Sequence, residues 1–65
     1  MEQDDLYNEA VELIRNTGKA SASLFQRRLS VGYARAARIL DILEEHGLIG
    51  PANGAKPRDI YINKD

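Results

Sequence analysis

Cysteine is absent from the 65 residues, so the chain has no disulfide framework and no Cys-based zinc site, and nothing argues for export. No apolar run approaches the roughly 20 residues of a membrane span, and no secretory h-region is present. Histidine occurs once, at His46, so an imidazole metal site or catalytic base would lack partners. There is no phosphate-binding glycine loop, serine and histidine show no triad context, and the carboxylates of so short a chain have no paired pocket. These absences argue against an enzyme. No catalytic residue, metal, cofactor or small-molecule ligand is expected, nor direct membrane contact.

What remains is one small domain with a single core, marginal unless its helices pack well. It is expected to span residues 5–63, with 1–4 a disordered N-terminus outside the fold and 64–65 a tail. The net charge of −1 and pI near 5.7, taken globally, argue against nucleic acid. The distribution reverses that inference. From Glu2 to Glu12 the only charges are acidic (Glu2, Asp4, Asp5, Glu9, Glu12); from Arg15 to Arg38 they are all basic (Arg15, Lys19, Arg27, Arg28, Arg35, Arg38). Asp41, Glu44 and Glu45 follow, then Lys56 and Arg58. With a Debye length of about 8 Å at physiological salt, a local basic patch acts largely independently of acids on the far side.

The stretch from Val31 to Gly47 organises the chain. Tyr33 to His46 reads as one amphipathic helix stopped by Gly47 at a C′ position. Ala36, Ile39, Leu40 and Leu43 converge on one side, bordered by Tyr33, Ala37 and Glu44. Ala34, Arg38, Asp41 and Glu45 lie opposite, flanked by Arg35 and Ile42. Both arginines fall in the first half and the acids in the second, an order that opposes the helix dipole. A helix presenting arginines from its N-terminal half suits a DNA major groove; the bland alternative is an ordinary solvated face.

Taken in order, a first helix runs from about Leu6 to Asn16, capped by Asp4 or Asp5 and ended by Thr17-Gly18. Leu6, Ala10, Leu13 and Ile14 form its buried stripe. Residues 19–22 connect it to a second helix that starts at Ser23, with Gln26 completing a capping box. Leu24, Phe25 and Leu29 are its apolar residues, and Ser30-Val31-Gly32 turns into the organising helix. This is a helix-turn-helix, a pattern moderately specific by itself. After Gly47 the period changes. Leu48–Gly50 and Asp59–Ile62 are strand material, separated by a segment in which Asn53-Gly54 tolerates positive φ and Pro57 marks the second strand's beginning. The expected fold class is therefore α+β: a winged helix-turn-helix of three helices with a small antiparallel β-hairpin wing. Lys56 and Arg58 at the wing can meet phosphates or a minor groove, or are incidental solvated charge.

The run QRRLSVGYARAARILDILEEHGLIGPANGAKPRD strongly resembles the C-terminal γ domain of the FtsK/SpoIIIE DNA translocases. Its densest signature is Q-R-x-x-x-[VI]-G-Y-x-R-A-A-R with an acid three positions on; Ala20-Ser21-Ala22-Ser23 and the Gly54–Arg58 wing motif G-x-K-P-R also fit. The resemblance covers about Asp5 to Ile62. It implies a module attached by a linker to a hexameric, membrane-tethered ATPase at the division septum, the module itself being cytoplasmic. In the family this domain reads short, G-rich, strand-biased octamers in double-stranded DNA and sets the direction in which the motor loads. Several copies act on one site, and some relatives use the domain to switch on a Xer recombinase. Base-reading positions carried over by the resemblance are Ala34, Arg38 and Asp41. Arg38 matches the family and can place a guanidinium on guanine. Asp41 stands for the commoner glutamate. Ala34 replaces asparagine or threonine and offers only apolar contact, and Ser30 stands where many relatives carry glycine.

Backbone contacts are expected from Arg28, Tyr33, Arg35, Lys56 and Arg58. Two have a plainer reading as well: Tyr33 as a core-edge residue that mainly packs, Arg28 as solvated face. His46 suits a helix C-terminus as a cation. The acids of the first helix face solvent or form a protein-docking surface. The alternative functions are a winged-helix transcriptional regulator and a winged-helix module that binds only protein.

Overall fold

The computed structural model describes residues 5–52, 54 and 57–62. Three helices occupy most of them: α1 (Tyr7–Thr17), α2 (Ala22–Leu29) and α3 (Tyr33–Glu45). The expected N-terminus and tail, 1–4 and 64–65, lie outside the described residues, as do Asn53 and Lys56.

Each helix boundary has a local cause. α1 is not capped by aspartate: Leu6 is its N-cap and makes no side-chain cap bond, while Asp5 lies one residue too early and Asp4 falls outside the described residues. Glu9 in the first turn complements the dipole instead. Gly18 closes α1 in the left-handed conformation, φ 71°, its N–H donating to the Ile14 carbonyl at 2.7 Å. For α2 the cap is Ser21 rather than Ser23. Ser21 is extended and its Oγ accepts the Leu24 N–H at 3.1 Å, so Ser23 and Gln26 lie inside the helix and form no capping box. Two serines two residues apart carry the same capping chemistry; burial of Ala20, Leu24 and Phe25 selects the earlier one.

α3 ends as its sequence suggests. His46 is the C-cap, and Gly47 takes φ +76°. Its N–H donates to the Glu44 carbonyl at 2.9 Å and the Leu48 N–H to the Leu43 carbonyl at 3.0 Å, the two bonds of a Schellman motif. The Tyr7 hydroxyl and His46 Nδ1 are 2.7 Å apart with their rings edge-on, which ties the start of α1 to the end of α3.

The core gathers Ala10 and Ile14 from α1, Leu24 and Phe25 from α2, and Ala36, Ile39, Leu40 and Leu43 from α3, with Ile49 and Ile62 closing it. Leu6 and Leu13 only border it. Ile42, expected on the flank of the outer face, is buried. The buried arc of α3 from Ile42 to Leu40 thus spans about 160°, wider than the minimal apolar stripe of an amphipathic helix. Phe25 is fully buried. Truncating such a residue costs about 3–5 kcal/mol, against the roughly 3–10 kcal/mol that holds a domain of this size together.

Beyond Gly47 the described residues contain no strand, only one antiparallel bridge, Ile49 to Ile60. Gly50 N–H donates to the Asp59 carbonyl and Tyr61 N–H to the Leu48 carbonyl, both at 2.9 Å. The strands expected over Leu48–Gly50 and Asp59–Ile62 are cut short because the Leu48 N–H is already bonded to α3 and Pro57 has no N–H.

Ser30, with φ 57°, is the one non-glycine residue of positive φ among those described, and it forms the turn between α2 and α3. That conformation costs an L-residue about 1–2 kcal/mol, more than the roughly 0.5–1 kcal/mol by which glycine's freedom favours the unfolded chain. Ser30→Gly should therefore raise stability by about 0.5–1 kcal/mol, seen as a higher urea midpoint at unchanged slope.

Candidate nucleic-acid interface

The cationic face begins where α3 begins. Gly32 caps the helix with extended backbone and no side-chain bond, and the first turn carries no acid. Its amide end, the positive end of the dipole, is thus left without a counter-charge from its own helix. Tyr33, Ala34, Arg35 and Arg38 are all exposed along this half of α3, and Asp41 is exposed just beyond it.

Ala34, Arg38 and Asp41 come together: they line one shallow hollow on the outer face, with Ala37, Ile42 and Glu45. The i, i+4, i+7 spacing puts them over successive turns. A guanidinium in the middle is flanked by a carboxylate on one side and a methyl on the other, a donor–acceptor–apolar set suited to base edges.

A second concavity lies between α3 and the loop after the bridge, lined among others by Lys19, Tyr33, Asp41, Pro57 and Arg58. Asp41 therefore borders both hollows. Tyr33, the first residue of α3, is 64% exposed, not a core-edge residue, and lines this groove. Lys19 is a cation the sequence reading left without a role. The available signal was its place in the all-basic run just ahead of a serine cap.

Other candidates stand apart. Arg28 lines a different hollow, between α1 and α2, together with Glu9 and Glu12. With Arg27 it occupies the last turn of α2, where the dipole favours cations. Arg58 is half-buried: its Nη1 donates to Glu44 Oε1 at 3.2 Å and to the Gly50 carbonyl at 3.0 Å. Lys56 lies outside the described residues. Glu12 pairs with Arg15 at 3.2 Å on α1. Among the described residues no group of His, Asp and Glu side chains is arranged to hold a metal ion, and no helix is long and apolar enough to cross a membrane.

Among the described residues, three helices closed by one bridge, with a cationic helix start left outside the core, define a small helical domain with an exposed cationic face. The family model described as the Ftsk gamma domain matches residues 1–63. The DNA translocase FtsK of Borreliella burgdorferi is 52% identical over 59 residues, 91% of this chain and 8% of its own length. SpoIIIE of Bacillus subtilis, also a DNA translocase, is 52% identical over 62 residues, 95% of this chain and 8% of its own. For FtsK of Caldanaerobacter subterraneus the figures are 53% over 64 residues, 98% and 9%. The chain belongs to the FtsK γ-domain family. It spans less than a tenth of the length of these relatives.

Because Tyr33 is so exposed, Tyr33→Ala should leave stability within about 0.5 kcal/mol of wild type in urea titration.

Proposed function

We propose that the chain is a winged helix-turn-helix that binds double-stranded DNA and reads a short, G-rich, strand-biased octamer. In this reading α2 and α3 are the helix-turn-helix, and the segment between Gly50 and Asp59 is the wing. The observation that carries it is the hollow holding Ala34, Arg38 and Asp41 together on the exposed cationic half of α3. Arg38 takes guanine N7 and O6, Asp41 accepts from a cytosine amino group at short reach, and Ala34 packs on a thymine methyl. Tyr33, Arg35 and Lys56 meet phosphates along the strand, and Arg28 does so from the edge of α2. Arg58 stands differently, because its guanidinium is engaged by the protein itself.

The relatives are named DNA translocases, which supports a role within such a motor. The chain is its non-catalytic reading head, setting where and in which direction a hexameric, membrane-tethered ATPase loads on chromosomal DNA at the septum. The head works on the cytoplasmic side, with further copies of itself on one site and, where the motor serves recombination, with a Xer recombinase.

Arg38→Ala should cost about 1–3 kcal/mol of binding to a duplex selected from a random pool, with little loss on unselected DNA. Equal binding of variant and wild type in a titration would remove the base-reading assignment.

One module offers a single helix and wing, about 600–1,000 Å² of contact. Sedimentation should therefore show a monomer in free solution and more than one copy on a short selected duplex. A stable dimer without DNA would favour a transcriptional regulator, and a tight one-to-one complex would overturn the multi-copy reading.

A further inference from the structure

Glu44 lies in the last turns of α3, where the helix dipole disfavours an acid. Its compensation comes from outside the helix. A single nitrogen, Arg58 Nη1, donates to Glu44 Oε1 at 3.2 Å and to the Gly50 carbonyl at 3.0 Å. It thereby joins α3, the chain entering the 51–57 segment and the chain leaving it. The Arg58 side chain is 15% exposed and that of Glu44 40%. The entry is tight as well. A Cβ on Gly50 would lie 3.2 Å from the Tyr61 hydroxyl oxygen and 3.3 Å from Asp59 Cβ, and Gly50 N–H donates to the Asp59 carbonyl at 2.9 Å.

We infer that Arg58 is a positioning residue: it ties the two ends of the segment between Gly50 and Asp59 to α3 through Glu44 and the Gly50 carbonyl, instead of neutralising a phosphate itself. The inference rests on the DNA-binding reading above. To reach a phosphate, the guanidinium would have to give up two charge-assisted bonds from a largely covered position. It would also leave the Glu44 carboxylate facing the polyanion. Held where it is, the pair is electrically neutral. It then releases no counterions on binding and adds nothing to the salt dependence. Arg58 sits in the same short basic motif as Lys56, yet the two have different duties.

The test compares the full chain with Lys56→Ala, Arg58→Ala, Arg58→Lys, Glu44→Ala and the double variant Glu44→Ala/Arg58→Ala. Each is titrated with the selected duplex over a salt series and melted in urea. Glu44→Ala and Arg58→Ala should each weaken binding about three- to tenfold, with the double variant no worse than the weaker single one. The double variant, which removes both charges of the neutral pair, should keep the wild-type slope of log K against log salt, whereas Lys56→Ala should flatten it by about 0.9. Arg58→Lys, which keeps the charge but whose Nζ falls one bond short of Nη1, should bind like Arg58→Ala. The opposite result is equally definite. If the double variant flattens the slope by about 0.9 as Arg58→Ala does, and Arg58→Lys restores it, Arg58 is a phosphate contact and the inference fails. A wild-type chain that binds no duplex removes the DNA reading and, with it, the purpose assigned to the tie. The urea melts judge the tie separately: midpoint shifts that fail to add in the double variant support it, and additive shifts overturn it.

Discussion

Between Leu29 and Tyr33 the chain changes direction in three residues, and it does so through a serine held at φ 57°. The strain is tolerated because the turn lets α2 pack on α3 and bring Phe25 into one cluster with Ala36 and Ile39. Ala36 is fully buried and small, so the two helices can approach closely at that point. Burying one large side chain contributes about 1.5–3 kcal/mol, enough to outweigh a single strained residue. Everything exposed on α3 inherits its direction from this junction. Once Ala36, Ile39 and Leu43 face the core, Ala34, Arg38 and Asp41 have no alternative but the outside.

The charge order of α3 carries its own cost. Arginines near the start and acids near the end both oppose the dipole, by a few tenths of a kcal/mol to about 1 kcal/mol each. Two separate uses account for it. The start presents Arg35 and Arg38 beside an uncapped amide end, which concentrates positive potential on one side of a chain whose net charge is slightly negative. At the far end Glu44 meets Arg58 across the base of the C-terminal segment. A helix optimised only for its own stability would have neither feature.

The C-terminal segment is held at its base by few backbone pairs among the described residues. Among the described residues, a single bridge at Ile49 and Ile60, a Schellman motif at Gly47 and one arginine nitrogen fix its base on α3. Each uses a group that a longer ladder would otherwise require. The Leu48 N–H closes the helix, and Gly50 has its carbonyl on Arg58. Pro57 has no N–H to offer. The segment is thus anchored mainly by side chains and caps, and buried Ile49 and Ile62 supply its apolar hold.

Periodicity, glycine placement and motif density were enough to locate three helices, their order, the stop at Gly47, most of the core and the family to which the chain belongs. These are properties of neighbouring residues: an apolar stripe repeats every three to four positions, and a glycine is needed wherever φ must be positive. The outward set Ala34, Arg38 and Asp41 was legible for the same reason, since spacing along one helix is local geometry. What needed the tertiary structure was each choice between chemically equivalent residues. Ser21 and Ser23 can both cap, and burial of Ala20 decided between them. Ile42 sits at the edge of the apolar arc, and only packing showed it to be inside. Tyr33, at the border of the apolar stripe, reads as a core-edge residue, and it is surface. Arg58 and Lys56 belong to one basic motif, but the carboxylate that engages Arg58 lies 14 residues earlier on another element. A partner that distant leaves no trace in local pattern, because it is brought close only by the folded backbone.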